Sequence, residues 1–283
     1  MEVSDASHQI IAELLTARTG QQLTESRRWR VGTALAGIFR ERGISNVDQL
    51  VCLLAMPQET QLAQDVVEAL LNNETYFFRD KPTFDQLPDD ILPKLAERRR
   101  DNRQLRIWCA GCSTGQEAYS MAIQIADQGA RWDGWKIDIL GTDVSQKAIT
   151  AARSGMFSQF EVQRGLSVSQ MLQHFDETPH GWQIHREMRN AVRFMQHNVL
   201  DAPTTTSRFD LILCSNVLLY FSPPTREKVF ARLQNALAPD GFLMLGAGET
   251  VVGQTERFTP SACRASIYEP VQQNTAVRHR AAG

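Results

Sequence analysis

The stretch from Trp108 to Tyr119, which reads WCAGCSTGQEAY, constrains the fold of this chain more than any other segment. A short apolar run, Leu105–Ala110, leads into a turn of small residues, and helical apolar spacing begins near Gln116. The sequence therefore predicts a strand, a tight turn and the start of a helix. The first turn of a helix offers free backbone N–H groups and the positive end of the helix dipole, so this junction suits a ligand.

An alternation of strands and helices continues after this junction. It predicts an α/β fold with a mostly parallel sheet and helices on both faces. The strands of this pattern are predicted at Leu105–Ala110, Lys136–Gly141, Val192–Gln196, Phe209–Cys214 and Phe242–Leu245. The helices are predicted at Gln116–Gln128, Ser145–Ser154 and Pro224–Ala238. A last strand is expected at Ala265–Glu269, and a strand at Trp182–Arg186, after a turn signal, indicates a small antiparallel insertion.

Residues 1–85 show helical spacing and no strand pattern, so we expect a helical N-terminal domain. Its helices are predicted at His8–Arg18, from a cap at Thr24 or Ser26 to Arg42, at Val47–Met56 and at Glu59–Leu71. A connector that contains Pro88 and Pro93 follows over residues 86–103. The α/β domain is expected over residues 104–270, with its insertion at about 156–191, and the polar tail 271–283 is expected to be disordered.

The composition excludes several classes of protein. The chain has 30 Lys and Arg against 32 Asp and Glu, and this balance argues against a general nucleic-acid binder. Its first residues are acidic and polar, unlike a signal peptide, and no apolar run approaches the ~20 residues of a membrane span. We therefore expect a cytoplasmic protein that does not insert into a membrane.

Five cysteines are scattered along the chain, and their odd number and wide spacing do not suggest a disulfide framework. Cys109 and Cys112 form a CxxC pair. A structural zinc site normally needs a second pair, which this sequence lacks. We expect reduced thiols packed in the turn, and no metal site.

Polar residues occur where four of the predicted strands end. Asp143 follows the second strand, while Asn198 and Asn216 follow the third and fourth. Glu117 comes after the first strand, in the first turn of the predicted helix. Because the carboxyl ends of parallel strands meet at one edge of a sheet, we expect these side chains to share a site. Taken alone, Glu117 is also explained as a partner of the helix dipole and Asp143 as a helix cap.

The two carboxylates favour a nucleoside with a cationic tail over a phosphate ligand. Asp143 suits a ribose diol, and Glu117 would repel a phosphate but attract an ammonium group. Arg79, in the segment NNETYFFRD, is available for the carboxylate of an amino-acid tail. S-adenosylmethionine meets these demands, whereas NAD and ATP need a basic phosphate cradle that does not accompany this loop.

Arginines are concentrated around the second predicted helix. Six lie within residues 18–42, against two glutamates, and Arg27 and Arg30 fall on one helix face, away from the apolar one. A solvated helix face accounts for this charge. A docking surface for an acidic partner helix accounts for it as well.

Four segments together resemble the chemotaxis receptor methyltransferase family, CheR. They are NNETYFFRD, CAGCSTGQEAYSMAI, GTDVSQKAITAARSGMF and CSNVLLYFSPPTREKVFARLQNALAPDGFLMLGAGE. The resemblance covers nearly the whole chain, to about residue 270. It implies an N-terminal helical domain, a Rossmann-like methyltransferase domain and a small inserted β-subdomain. It also implies methyl transfer from S-adenosylmethionine to glutamates on the cytoplasmic helices of chemoreceptors, giving glutamyl methyl ester and S-adenosylhomocysteine.

The resemblance implies roles for individual residues. Those it assigns to the cofactor site are Asn73, Thr75, Arg79, Gly111, Glu117, Asp143, Asn198, Val199, Asn216 and Val217. Tyr220 matches a tyrosine near the transferred methyl group. One arginine of residues 98–100, taken here as Arg100, matches an arginine near the substrate. Since receptor methylation helices carry glutamates, Arg27, Arg28 and Arg30 are expected to dock against them.

The chain departs from the family pattern at three places. Ala118 stands where members commonly have Pro, and Ser215 stands where they usually have Arg. The loop Asp176–His180 is a few residues shorter than in members that bind a C-terminal pentapeptide of the receptor. We therefore expect a pentapeptide-independent enzyme, and a monomer.

The sequence is compatible with two other functions as well. The enzyme could methylate another protein carboxylate. Alternatively, the chain could be a non-catalytic adaptor that binds S-adenosylmethionine in a signalling array. Methyl transfer to purified receptor fragments separates these functions.

Overall fold

The computed structural model describes residues 4–24, 27–202, 205–262 and 266–272. Four helices come first: α1 (Asp5–Thr19), α2 (Arg30–Arg42), α3 (Val47–Leu54) and α4 (Thr60–Leu70). They pack around an apolar core of their own, to which Ile11, Leu35 and Val66 contribute. The prediction of a helical N-terminal region is confirmed. Within the described residues, no helix has both the length and the apolar character needed to cross a membrane.

Helix α2 begins later than predicted. Its N-cap is Trp29 rather than Thr24, and Trp29 makes no side-chain capping bond; Ser26, the other predicted cap, lies outside the described residues. The chain turns before the helix, where the N–H of Arg27 donates to the carbonyl of Thr24 at 2.8 Å. Residues 27–29 therefore form a separate turn, in which the Trp29 side chain is 75% exposed.

Three short helical segments connect this region to the sheet. They are α5 (Lys81–Phe84), a π-helical turn (Leu87–Ile91) and α6 (Leu92–Arg98). Their apolar side chains Phe84, Leu87 and Leu95 are buried in the same core as Ile107 and Ile139 of the sheet. The predicted connector is thus largely helical and belongs to the packing of the sheet.

The α/β alternation predicted from the sequence is present. It starts with β1 (Gln104–Ala110), α7 (Gln116–Asp127), β2 (Lys136–Asp143) and α8 (Gln146–Ser154). An inserted segment follows, with β3 (Met156–Phe157), α9 (Gln159–Gln163), α10 (Val168–His174), β4 (Phe175–Thr178), β5 (Gly181–Ile184) and α11 (Arg186–Ala191). The chain then returns to the sheet with β6 (Val192–Gln196), β7 (Phe209–Cys214), α12 (Pro223–Ala236), β8 (Leu237–Leu245), β9 (Phe258–Pro260) and β10 (Ile267–Pro270).

The main sheet has the strand order β6-β2-β1-β7-β8-β10-β9. The first five strands of this order are parallel, and β10 and β9 form an antiparallel edge. Successive residues of β1 point to opposite faces: Ile107 and Cys109 join the core that includes α7, and Trp108 and Ala110 join the core that includes α12. The predicted helices on both faces are therefore confirmed.

The inserted segment forms a second, three-stranded antiparallel sheet in the order β3-β5-β4, as the sequence indicated. The predicted strand Trp182–Arg186 ends two residues early, because α11 begins at Arg186. Helices α9 and α10 and strand β9 were not predicted. The predicted last strand started at Ala265, which lies outside the described residues, as do residues 273–283 of the predicted tail.

Candidate active site at the carboxyl ends of the strands

A cavity lies between the carboxyl ends of β1, β2, β6 and β7 and the segments that follow α1 and α4. It encloses about 850 Å³, part of it open to solvent. All ten predicted cofactor residues line it: Asn73, Thr75, Arg79, Gly111, Glu117, Asp143, Asn198, Val199, Asn216 and Val217. Tyr220 lines it as well. Side chains up to 147 positions apart in the sequence therefore meet at one sheet edge.

The loop between β1 and α7 forms the floor of the cavity. The N–H groups of Gly111 and Cys112 both donate to the carbonyl of Thr142, at 2.8 and 2.9 Å, which ties this loop to the end of β2. Gly111 has φ +78°, and a Cβ there would lie 2.3 Å from Cγ2 of Val217. A glycine is needed at this position for both reasons, since the conformation and the close approach exclude a side chain.

Asp143 connects the loops that follow β1 and β2. Its carboxylate accepts the N–H of Ser113 at 2.8 Å and the N–H of Ser145 at 2.9 Å. Burial raises the pKa of this carboxyl, and the two backbone hydrogen bonds lower it in part. The side chain of Asp143 is thus fixed in orientation at the end of β2, where the sequence predicted a contact with a ribose.

Glu117 occupies the first turn of α7 and is only 8% exposed. Its Oε1 has no hydrogen-bond partner among the described residues. Burial raises the pKa of Glu117 to about 7. A buried carboxyl with an open acceptor oxygen at the wall of a cavity suits a cationic ligand group. Of the two family departures near it, Ser215 lines the cavity and Ala118 is fully buried in α7.

The segment after α4 closes the cavity from the side of the helical region. Arg79 donates through Nη1 to Oε2 of Glu74 at 2.9 Å and through Nη2 to Oδ1 of Asn216 at 3.2 Å. The carbonyl of Asn73 accepts the hydroxyl of Ser113 at 2.7 Å. This segment is therefore bonded both to the loop after β1 and to the loop after β7.

The loop after β7 is held by a carboxylate that sequence reasoning missed. Glu249 accepts four backbone N–H groups, from Asn216 at 2.6 Å, Leu218 at 2.8 Å, Gly246 at 3.2 Å and Leu219 at 3.3 Å. Asn216 has φ +61°, a conformation that costs energy for a residue with a side chain. The available signal was an acidic residue beyond the end of β8, at the same sheet edge as the other polar groups.

Neighbouring N–H groups extend this connection to the helical side. The N–H of Ala247 donates to Oδ2 of Asp80 at 2.9 Å, and Asp80 follows Arg79 directly. The segment between Gly246 and Glu249 therefore binds both walls of the cavity. It fixes the two elements that carry Arg79 and Asn216 relative to each other.

The end of β6 supplies Asn198, Val199 and an additional lining residue, His197. Oδ1 of Asn198 accepts the N–H of Leu200 at 3.0 Å, and its Nδ2 donates to the carbonyl of Arg18 at 3.4 Å. Burial lowers the pKa of His197, which favours the neutral form of its ring. The other two residues of this wall, Asn198 and Val199, have uncharged side chains.

Tyr220 lies where the loop after β7 meets the helical region. Its hydroxyl accepts Nδ2 of Asn72 at 2.7 Å, and its carbonyl accepts the N–H of Gln22 at 2.8 Å. The guanidinium of Arg27 stacks on its ring, with Cζ 4.5 Å from the ring centroid. Asn72 was not among the predicted site residues, although it precedes the predicted Asn73.

The three arginines predicted to dock a receptor do not form one surface. Arg27 stacks on Tyr220, and Nη2 of Arg30 donates to Oδ1 of Asn72 at 3.4 Å. Arg28 instead pairs with Asp5 of α1 at 2.6 Å. The structure brings Arg27 and Arg30 into contact with two residues that line the cavity, Tyr220 and Asn72, and turns Arg28 towards α1.

Arg100 is not brought to the cavity, which corrects its assignment to catalysis. It follows α6 and precedes β1, so it lies at the amino ends of the strands, opposite the site. There it pairs with Glu97 at 2.8 Å and is mostly exposed. Its neighbour Arg99 is also engaged, with Asp210 and Asp240 at 2.6 Å each. The sheet therefore separates this arginine cluster from the cavity.

The CxxC pair is buried beneath the loop. Cys109 and Cys112 are free thiols with no more than 1% exposure, and burial raises the pKa of both well above the ordinary value. Buried protonated thiols are unreactive. Among the described residues, no group of three or more His, Cys, Asp or Glu side chains is arranged to hold a metal ion.

Comparison with known proteins agrees with this geometry. A family model described as CheR methyltransferase, SAM binding domain, matches residues 73–267. A chemotaxis protein methyltransferase of Vibrio parahaemolyticus is 30% identical over 268 residues, 94% of this chain and 96% of that protein. Chemotaxis protein methyltransferase 1 of Pseudomonas aeruginosa is 31% identical over 273 residues, 94% of this chain and 98% of that protein. The chain thus belongs to the CheR methyltransferase family and is an S-adenosylmethionine-dependent methyltransferase.

Proposed function

We propose that this enzyme transfers a methyl group from S-adenosylmethionine to glutamate side chains on the cytoplasmic helices of chemoreceptors. The products are a glutamyl methyl ester and S-adenosylhomocysteine. The observation that carries the proposal is the position of Tyr220, whose side chain lines the cofactor cavity and whose ring is stacked against the guanidinium of Arg27. A hydroxyl and a guanidinium at this place suit an anionic acceptor such as a carboxylate.

The charged residues of the cavity fit the cofactor. The unpartnered, buried Oε1 of Glu117 suits the ammonium group of the methionine end. Arg79 would hold the carboxylate of that end, and Asp143, already fixed by backbone N–H groups, would bind the ribose. Contacts along the adenine and methionine ends are assigned to Asn73, Thr75, Gly111, Asn198, Val199, Asn216 and Val217.

The acceptor needs no general base. A glutamate has an unperturbed pKa near 4.3, so its carboxylate is already ionised at neutral pH. When bound, S-adenosylmethionine would supply an electrophilic methyl group on a sulfonium. The acceptor carboxylate would take up this methyl group, and the electron pair of the broken C–S bond would stay on the sulfur of S-adenosylhomocysteine. The protein contributes by aligning the acceptor and excluding water. Tyr220 and a nearby guanidinium are the groups available for this alignment.

The experiment that tests the proposal is methyl transfer from labelled S-adenosylmethionine to purified cytoplasmic fragments of chemoreceptors from the same organism. We expect label on the receptor that mild base releases as methanol, as an ester requires. A fragment with glutamine at the methylated positions is the control and should remain unlabelled. Base-stable label, or label only on another protein, would indicate a different acceptor, and cofactor binding without any transfer would indicate an adaptor.

We further propose that the enzyme is a cytoplasmic monomer and that it engages receptors without a C-terminal pentapeptide tether. The support for the second statement is the turn between β4 and β5, which consists of Pro179 and His180 only. So short a turn leaves little surface for a tethered peptide to contact. Calorimetric titration with a receptor pentapeptide should give no heat of binding, and light scattering should give the mass of one chain. Tight peptide binding or a dimer mass contradicts the respective statement.

A further inference from the structure

A buried carboxylate of the helical region holds the start of a helix in the α/β domain. It belongs to Glu68 of α4, whose side chain is only 6% exposed. Its Oε2 accepts the hydroxyl of Ser145 at 2.6 Å, and its Oε1 accepts the N–H of Gln146 at 2.7 Å. Ser145 is the N-cap of α8 and Gln146 is its first residue. Glu68 therefore extends the cap of α8 from the opposite side of the boundary between the two regions.

The environment of Glu68 explains why a carboxylate is tolerated there. Burying a carboxylate costs free energy unless its oxygens are bonded, and both oxygens of Glu68 are. The positive end of the α8 dipole stabilises the negative charge as well. Within its own helix, the hydroxyl of Ser145 also accepts the N–H of Ala148 at 3.0 Å. The start of α8 is thus held in place both by its own cap and by α4.

The loop that Glu68 holds also carries Asp143. The N–H of Ser145 donates to the carboxylate of Asp143 at 2.9 Å, so the residue bonded to Glu68 through its hydroxyl fixes Asp143 through its backbone. Val144, between them, packs against the apolar core of the helical region and lines the cofactor cavity. Two of the three residues of this loop therefore contact the helical region directly.

We propose that Glu68 is a positioning residue for the cofactor: by holding Ser145 and Gln146, it sets the orientation in which Asp143 meets the ribose hydroxyls. This inference rests on the assignment of Asp143 to the ribose in the proposed function. Glu68 is not part of the cavity lining, so it acts through the loop after β2 and not by contact with the cofactor. The helical region then takes part in recognising the nucleoside through α4.

The test measures how strongly the enzyme prefers S-adenosylhomocysteine to its 2′,3′-dideoxyribose analogue, by calorimetric titration with each ligand. Wild type should bind S-adenosylhomocysteine at least about tenfold more tightly, because Asp143 can bond only a ribose that carries hydroxyls. Glu68→Ala should reduce this ratio to about two, while affinity for the analogue changes less than about twofold. Asp48→Ala is the matched control and should keep the ratio, since Asp48 also accepts two serine hydroxyls, of Ser4 and Ser7, but within the helical region.

The outcomes separate this inference from the assignment on which it rests. A wild type without the preference, or an Asp143→Ala variant that keeps it, contradicts the assignment of Asp143 to the ribose and the inference with it. If Asp143→Ala loses the preference but Glu68→Ala keeps it, only the positioning role of Glu68 is refuted.

A purely structural role of Glu68 gives a different result. Glu68→Ala would then weaken the binding of both ligands equally and leave their ratio unchanged, which refutes the positioning role. Glu68→Gln keeps the shape of the side chain and one acceptor oxygen, and it should reduce the ratio about threefold. It decides the question if Glu68→Ala does not fold, and an unchanged ratio in Glu68→Gln then refutes the inference.

Discussion

The carboxylate of Glu249 accepts the N–H of Asn216 at 2.6 Å. Through this contact the segment after β8 fixes the conformation of the loop after β7. Glu249→Ala removes the acceptor for the N–H groups of Asn216, Leu218 and Leu219. Those of Asn216 and Leu218 are partly buried and are then left unpaired. Losing such charge-assisted bonds should weaken cofactor affinity about tenfold. Calorimetric titration with S-adenosylhomocysteine measures the change.

Two further variants show whether the loss comes from the loop. Glu249→Gln keeps one acceptor oxygen and should give an intermediate loss. Glu227→Ala is the matched control, because Glu227 pairs with Arg257 at 2.7 Å on the surface of α12 and should leave cofactor affinity unchanged. Wild-type affinity in Glu249→Ala would contradict the positioning role.

Glu117 should make cofactor affinity depend on pH. Its pKa of about 7 means that the carboxyl is mainly neutral at pH 6 and ionised at pH 8. Since a cationic group is bound best by the ionised form, affinity should rise about tenfold between these values. Glu117→Gln should bind weakly and lose this rise. Titrations at several pH values measure it, and a flat profile for wild type contradicts the assignment.

Ionisation of Glu117 should raise cofactor affinity but lower the stability of the folded protein. A carboxyl whose pKa is higher in the folded than in the unfolded protein holds its proton more tightly when folded. Stability is therefore lost as pH rises from about 4.5 to about 7. We expect cofactor-free Glu117→Gln to melt a few degrees above wild type at pH 8 and near wild type at pH 5. If Glu117→Gln and wild type melt at equal temperatures at both pH 5 and pH 8, this expectation is contradicted.

Gly111→Ala should both destabilise the protein and block the cavity. The added Cβ meets Val217 at 2.3 Å in a left-handed conformation. Gly43→Ala is the matched control, because Gly43 also has a positive φ, +64°, but a Cβ there meets nothing within 4 Å. Strain alone costs on the order of 1 kcal/mol, so Gly43→Ala should lower the melting temperature slightly and leave cofactor affinity unchanged. Gly111→Ala should clearly lower both the melting temperature and the cofactor affinity. Equal effects of Gly111→Ala and Gly43→Ala would contradict the role of the Val217 contact.

Tyr220→Phe should separate the chemical step from cofactor binding. The ring that lines the cavity and carries Arg27 is retained, so the dissociation constant of S-adenosylmethionine should stay within about twofold. Loss of the hydroxyl removes the acceptor of Asn72 and a donor to the substrate, and kcat should fall about five- to tenfold. Steady-state kinetics with receptor fragments measure this, and a loss confined to cofactor affinity would falsify the role given to the hydroxyl.

The fold, and the part of the site that lies at the strand ends, could be predicted from the sequence because both follow from the spacing of apolar residues. Strand ends can be located from apolar runs, and parallel strands bring their carboxyl ends together, so Asp143, Asn198 and Asn216 were found. The backbone bonds that orient them were not accessible. Glu249 depends on the path of the chain after β8, which local pattern does not determine.

The assignment of Arg100 failed for a reason that strand direction explains. Arg100 precedes β1, and the site lies where β1 ends. A strand of seven residues separates the two by about 20 Å. Arg27, which does contact Tyr220, was predicted on a helix face, whereas the structure has a turn there, because the start of α2 shifts to Arg30.

Tyr220 lines the cofactor cavity and holds Arg27 on its ring, so a receptor that contacts this pair would be thermodynamically linked to cofactor binding. If S-adenosylhomocysteine changes the affinity for receptor by some factor, receptor must change the affinity for S-adenosylhomocysteine by the same factor. Product inhibition is then not a property of the cofactor site alone. Its strength then varies with the concentration of receptor, and the direction of that change gives the sign of the coupling.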